Sequence, residues 1–237
     1  MKQPRWKIFL SYLVEWHLES APSPYNPHLY VSLVQGRYQL STANAVYSFE
    51  DLYDNFSRSF DQLDLKRLPG KETLLLGLGL GSIPLMLERN YEQALRYTAV
   101  EIDESVIYLA QKYVLDELKA PITCICGDAW PFVQQTNEQF AYIAMDVFID
   151  DEIPSQFLGS DFLDILQDRL LPGGLLMFNH LARTERDREL AQDYYDRVFS
   201  SQFPKPSCLS VGGNYMMIND IHYLRPDLDQ DRPGAAR

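Results

Sequence analysis

The chain has 237 residues, 46% of them hydrophobic, which is enough to bury the core of one main domain with a small appendage. Its formal net charge of −12 repels nucleic acid phosphates and argues against a DNA- or RNA-directed role unless a local basic patch overrides that field; it suits a small cationic substrate. Three cysteines cannot all pair within one chain, and the histidines at 17, 28, 180 and 222 stand singly, so core thiols in a reducing cytoplasm and no metal site are expected.

In chain order, the apolar run from Ile8 to Val14 is short and broken by Glu15, which predicts a β-strand rather than a signal peptide or a membrane span. Pro22, Pro24 and Pro27 mark a loop, after which Tyr30 to Thr42 alternates as two strands about a turn. A short helix over 48–63 closes this N-terminal β segment, residues 1–63. From residue 64 the pattern changes. Strands are expected at 72–77, 96–101, 121–126, 140–146 and 174–179, with helices at 82–90, 104–117, 129–136 and 160–170 between them. Strands separated by helices imply a parallel, doubly wound sheet. A helix from about 184 to 201 then leads to the runs 207–211 and 215–221, which flank Gly212-Gly213-Asn214 as a hairpin with a tight turn. The main domain is thus 64–224, and the tail 225–237, rich in Pro, Asp and Arg, is expected to be disordered.

Four short segments within this frame carry chemistry. The first apolar strand runs into Gly77-Leu78-Gly79-Leu80-Gly81, and about 20 residues later the second ends in Val100-Glu101-Ile102-Asp103. Glycines let the chain reverse tightly and let a ligand approach bare backbone, while a carboxylate at the tip of the next strand can accept both hydroxyl protons of a ribose. The pair describes a nucleoside pocket. Its spacing is Gly-x-Gly-x-Gly, with Ile83-Pro84 where a dinucleotide fingerprint has a further glycine, so a pyrophosphate is not the leading ligand. Asp103-Glu104-Ser105 is suited to capping the following helix. Cys126-Gly127-Asp128-Ala129 follows the third strand, Phe140 to Asp146 is a fourth strand ending in an acid, and Leu171-Pro172-Gly173-Gly174 turns into a fifth.

In this order the motifs resemble the S-adenosylmethionine-dependent methyltransferase fold and, over roughly residues 28–222, the spermidine synthase family. The resemblance extends ahead of the glycines, where Gln39-Leu40-Ser41 and Tyr47 stand in a small β domain that plain methyltransferases usually lack. It implies an α/β, Rossmann-like, doubly wound and mostly parallel seven-stranded sheet of the methyltransferase type, preceded by a small N-terminal β domain. It also implies S-adenosylmethionine or decarboxylated S-adenosylmethionine as co-substrate, held by Gly77, Gly79, Gly81, Glu101, Ile102, Ala129 and Gln39, with Asp128 accepting from the adenine amino group. Asp146 becomes the catalytic base, Tyr47 and Asp150 the substrate contacts, and a cytoplasmic homodimer in polyamine biosynthesis the setting.

A sulfonium is electrophilic at each of its three carbons, so such a transferase needs little beyond holding the nucleophile in line. An amine must also arrive unprotonated, and with a free pKa near ~10.4 it needs a carboxylate to take its proton, the role given to Asp146. Two departures bear on aminopropyl transfer: Leu80 stands where the family has an aspartate for the aminopropyl amine, and Cys208-Leu209-Ser210 stands in place of a Pro-Thr-Tyr-Pro segment. In the β domain the match is partial, with Ser48 and Phe49 where the family has His and Glu. Aminopropyl transfer leads on the strength of the β domain. Methyl transfer requires a partner for the methionine carboxylate, for which the sequence offers Arg37 or amides near Gly81. A non-catalytic relative that keeps the pocket is a third reading, and a nicotinamide oxidoreductase is disfavoured by the glycine spacing.

Overall fold

A computed structural model describes residues 3–26, 28–43 and 45–226. An N-terminal antiparallel sheet runs in chain order, β1 (Trp16–Ser20), β2 (Tyr30–Val34), β3 (Arg37–Ser41) and β4 (Val46–Ser48). The near-continuous apolar runs that follow form the second sheet, as parallel strands buried on both faces must. Its strands are β5 (Glu72–Leu76), β6 (Arg96–Glu101), β7 (Ile122–Cys126), β8 (Phe140–Met145), β9 (Leu170–Leu181), β10 (Ser207–Val211) and β11 (Asn214–Ile218). Their order is β10-β11-β9-β8-β5-β6-β7, with β11 antiparallel to both its neighbours and the five strands from β9 to β7 parallel.

Helices cover both faces of this sheet, so every residue of β8 is buried. The helices are α1 (Arg5–Leu10), α2 (Asp54–Gln62), α3 (Ser82–Arg89), α4 (Glu104–Tyr113), α5 (Ala129–Gln135), α6 (Ser160–Arg169) and α7 (Glu185–Tyr194). The chain builds β5, β6 and β7 outward in one direction and then returns to lay β8 on the other side of β5. The crevice at the carboxyl ends of β5 and β8 is therefore the topological switch point, where doubly wound sheets bind ligands.

Several boundaries differ from the sequence expectation, each for a local reason. The Ile8–Val14 run is not a strand: Pro4 opens α1, and the following Ser11 accepts from the amides of Gln35 and Gly36, both at 2.8 Å, which ties the segment beneath the β2–β3 turn. The helix expected over 48–63 starts only at Asp54, because Ser48 is held extended, its hydroxyl 2.6 Å from that of Ser82, with Phe49 N donating to the same Ser82 oxygen at 3.0 Å. Pro172-Gly173-Gly174 is not a turn ahead of a strand but a bulge within β9, whose pairing to β8 jumps from Phe140↔Leu170 to Tyr142↔Leu175. Asn214 belongs to β11, since the hairpin turn is Gly212-Gly213 alone with φ of +60° and +92°. The helix expected over 104–117 ends at Tyr113, and that over 184–201 passes into a π-helical turn at Tyr195–Phe199. Cys124, Cys126 and Cys208 are free thiols, but Cys126, at the end of an edge strand, is exposed rather than in the core. Pro27 and the tail from residue 227 lie outside the described residues. Among those described, no helix is long and apolar enough to cross a membrane, and no group of three or more His, Cys, Asp and Glu side chains could hold a metal ion.

Candidate functional site

A cavity of about 690 Å³ opens at the switch point, between the carboxyl edge of the large sheet and the N-terminal sheet. Gly77, Gly79, Glu101, Ile102, Asp128, Ala129, Gln39, Tyr47, Asp146 and Asp150 all line it. Gly81 does not: it precedes α3 at φ +88°, and a Cβ there would stand 2.7 Å from Leu115 Cδ2, so its conformation serves packing. Leu80 is fully buried in the core and does not face the cavity.

The other two glycines are required by close approach. At Gly77, φ +87°, a Cβ would lie 2.3 Å from the carbonyl oxygen of Asp146, so only hydrogen lets β5 and β8 converge here. At Gly79 a Cβ would lie 2.9 Å from Ser48 Cβ, the point where β4 is drawn against the glycine loop. Glu101, at the tip of β6, holds that loop: its Oε2 accepts from Leu78 N at 3.0 Å and its Oε1 from Asp103 N at 3.1 Å. Burial pushes this carboxyl above its ordinary range, against the lowering effect of those amides. Each carboxylate oxygen retains a further acceptor position for a ligand hydroxyl. Asp128 caps α5, its Oδ1 accepting from Trp130 N at 2.9 Å, which leaves Oδ2 on the cavity side with Gln156 Nε2 at 3.5 Å.

Asp146 follows β8. Asn179 Nδ2 donates to its Oδ1 at 2.8 Å and the Tyr53 hydroxyl to its Oδ2 at 3.1 Å, while Asn214 Nδ2 donates to Asn179 Oδ1 at 2.9 Å and orients that amide. Burial is the largest influence on Asp146 and pushes its pKa up to about 6, opposed by the two donors and assisted by Glu101. The same burial and the Asp146 charge hold the Tyr53 phenol well above its usual range, so it remains a donor. A carboxylate that is ionised at neutral pH yet poorly solvated is suited to accepting a proton.

The N-terminal segment closes the site through a chain of polar contacts. The Tyr47 hydroxyl donates to Asn26 Oδ1 at 2.8 Å and accepts from Asp150 N at 2.5 Å, Asn26 Nδ2 donates to the buried Asp103 at 3.2 Å, and the Ser23 hydroxyl donates to the same oxygen at 2.5 Å. Asp103 thus caps α4 through Ser105 N and also anchors the loop from residue 23 to residue 26. Asp150, in the left-handed region at φ +55°, accepts from the Thr42 hydroxyl at 2.8 Å. Gln39 lines the cavity with its amide donated to Ser41 Oγ at 2.9 Å.

Four further residues to which sequence reasoning assigned no role in the site also line the cavity: Tyr53, Asn179, Asn214 and Arg183. An asparagine closing the otherwise apolar run 175–178 was the available signal for Asn179. Arg37, offered as a partner for a methionine carboxylate, is paired with Asp51 through both Nε and Nη2 and is not among the lining residues.

With this geometry in hand, comparison with known proteins gives one family and several relatives. The family model for the spermine/spermidine synthase domain matches residues 70–208. A probable polyamine aminopropyl transferase of Bifidobacterium longum (strain NCC 2705) is 30% identical over 106 residues, 45% of this chain and 23% of that protein. An eEF1A lysine and N-terminal methyltransferase homolog of Drosophila melanogaster is 29% identical over 143 residues, 56% of this chain and 21% of that protein. The matched regions thus cover less than a quarter of either relative's length. Among solved structures, a spermidine synthase in complex with the transition state analogue AdoDATO superposes with a TM-score of 0.69 at 15% identity, covering 91% of this chain and 79% of that one, which establishes a shared fold.

Proposed function

The chain belongs to the spermine/spermidine synthase domain family, and we propose that it transfers an alkyl group, aminopropyl ahead of methyl, from an adenosyl sulfonium donor to a small amine. The observation that carries this reading is Asp146, a carboxylate with its pKa pushed up to about 6, set on the same sheet edge as the nucleoside-type residues Glu101 and Asp128. Adenosine would lie over β5–β7 with its ribose on Glu101 and its base toward Asp128 and Ala129. The sulfonium carbons would then face Asp146.

The amine lone pair attacks the carbon beside the sulfonium, the C–S bond breaks with its electron pair passing to sulfur, and the product is a neutral thioether. The proton that the new ammonium must lose passes to Asp146, which Asn179 and Tyr53 hold in place. Aminopropyl transfer is favoured by the four-stranded N-terminal sheet and by the engagement of Arg37 with Asp51, which leaves it unavailable to a methionine carboxylate. Methyl transfer is the second reading, supported by the Drosophila relative and by the buried Leu80. A cytoplasmic homodimer acting without metal or nucleic acid completes the proposal.

Calorimetric titration with decarboxylated and intact S-adenosylmethionine, followed by mass spectrometry of products from an amine panel, tests it. Tighter binding of the decarboxylated donor and a mass gain of one aminopropyl group are expected. Tighter binding of the intact donor with a methyl gain reverses the order of the two readings, and binding of neither refutes the adenosyl site.

A further inference from the structure

The carboxyl edge of the large sheet sets the cavity residues out in strand order. Asp128 follows β7, Glu101 ends β6, Gly77 and Gly79 follow β5, Asp146 follows β8, Asn179 lies near the end of β9 with Arg183 just beyond it, and Asn214 opens β11. Neighbouring strands lie roughly 5 Å apart. Arg183 is therefore on the opposite side of Asp146 from the nucleoside half, about one strand spacing away plus the reach of its own side chain. It is the single lysine or arginine among the described residues lining the cavity, against the carboxylates Asp54, Glu101, Asp128, Asp146 and Asp150. Of these, Asp54 is already engaged by Arg58 at 2.8 Å, and Asp150 lies toward Tyr47 and Thr42.

Arg183 is also placed by the fold. Ala182 N donates to Gly213 O at 2.8 Å, and a Cβ on Gly213 would meet Arg183 Cγ at 3.3 Å, so the glycine hairpin turn lies against the stem of the arginine. Its charge reaches the donor of Asp146, since it draws the Tyr53 phenol downward against burial. Among the described residues Arg183 makes no ion pair. An amine docked with its nitrogen at Asp146 would extend its far end toward the β9 side of the cavity, where Arg183 supplies the one cationic side chain among the described lining residues. A second ammonium there is repelled, and a carboxylate is matched in charge and in fork geometry.

We infer that the acceptor is an amine bearing a carboxylate, held by Arg183, rather than a diamine. This rests on the transfer reading above, and it makes Arg183 a specificity determinant of the reaction. The test is calorimetry on the full chain saturated with 5′-methylthioadenosine, using 1,4-diaminobutane and 4-aminobutanoate as a matched pair of four-carbon probes, for the wild type, Arg183→Gln and Arg183→Lys. The aminocarboxylate should bind more tightly to the wild type. Arg183→Gln should weaken it by about ten- to a hundredfold, the loss expected of one charge-assisted contact, while leaving the diamine and both adenosyl donors unaffected, and lysine should restore part of the loss. Preference for the diamine, an Arg183→Gln protein with unchanged selectivity, or failure of both probes on a protein that binds a donor would each overturn the inference while leaving the donor site standing. Selective loss of intact S-adenosylmethionine binding in Arg183→Gln would overturn it differently, by assigning Arg183 to the donor's own carboxylate. Failure to bind any donor refutes the transfer reading itself.

Discussion

Replacing Asp146 with Asn should stabilise the ligand-free protein while abolishing turnover. The folded chain raises this carboxyl from its ordinary 3.8 to about 6, chiefly through burial. Because its folded pKa lies above its unfolded one, the native state holds more protons than the unfolded state between those two values, and stability falls as pH rises through that window. Two pKa units correspond to about 3 kcal/mol, an upper estimate of the cost of ionising Asp146 in place. An asparagine avoids that cost and keeps the local bonding, since its oxygen can accept from Asn179 and its amide can donate to the Tyr53 oxygen. The difference between the variant and the wild type should therefore be small near pH 4 and grow to as much as ~3 kcal/mol above pH 7. For a chain of this size that is about 6–12 °C in Tm. Thermal melts of both proteins across pH 4–8 read out the effect, because titrating groups that do not interact with Asp146 cancel in the difference, leaving Asp146 and its coupling to Glu101. Wild-type kcat/KM should rise with pH through an inflection near 6, and the variant should show none. A variant destabilised at pH 8, or one that turns over at the wild-type rate, would refute the placement of a strained catalytic carboxylate at this position.

Two further perturbations address the donor half. Glu101→Gln keeps the shape of the side chain but removes its charge, and should weaken calorimetric binding of 5′-methylthioadenosine by about ten- to a hundredfold, the worth of hydrogen bonds to a charged group; unchanged affinity would remove Glu101 from the ribose. Gly77→Ala places a Cβ 2.3 Å from the Asp146 carbonyl at φ +87°, which should cost more than about 2 kcal/mol in urea unfolding. A Gly77→Ala protein of wild-type stability would show that β5 and β8 do not converge as described.

The parts of this molecule that were legible in sequence are those with a local signature. Glu101 and Asp146 each terminate an apolar run, so their positions at strand tips followed from composition, and the strand and helix alternation from residue 72 followed from periodicity. The Ile8–Val14 run is not legible as a helix because a short apolar stretch has the same composition in either state, and the deciding contacts, Ser11 with the amides of Gln35 and Gly36, are made by another part of the chain. Ser48 was misplaced for a similar reason, its extended state being fixed by Ser82, 34 residues away. Asn214 meets Asn179, and the Gly213 turn meets the stem of Arg183, only because β11 inserts beside β9, an order that chain sequence does not state. Tyr53 reaches Asp146 across a sequence separation of 93 residues.

If the proposed transfer holds, that strand order also couples the charge of the donor to the competence of the base. In the ligand-free cavity Asp146 is surrounded by burial and by the Glu101 charge, both of which raise its pKa. On the proposed reading, a bound sulfonium places a positive charge between Glu101 and Asp146, and an opposite charge at such range favours the ionised form of both. Donor binding thus prepares the base in its deprotonated state. Attack by the amine then converts the sulfonium into a neutral thioether and the amine into an ammonium, so the positive charge leaves sulfur as a proton becomes available on nitrogen. With the sulfonium charge gone, burial again drives Asp146 toward its neutral form, and it takes up that proton as the product leaves. A more solvated or more strongly hydrogen-bonded carboxylate would remain ionised throughout and would lack this rise in basicity. The two donors that Asp146 does receive, from Asn179 and Tyr53, orient it without cancelling the effect of burial, which remains the largest influence on its titration.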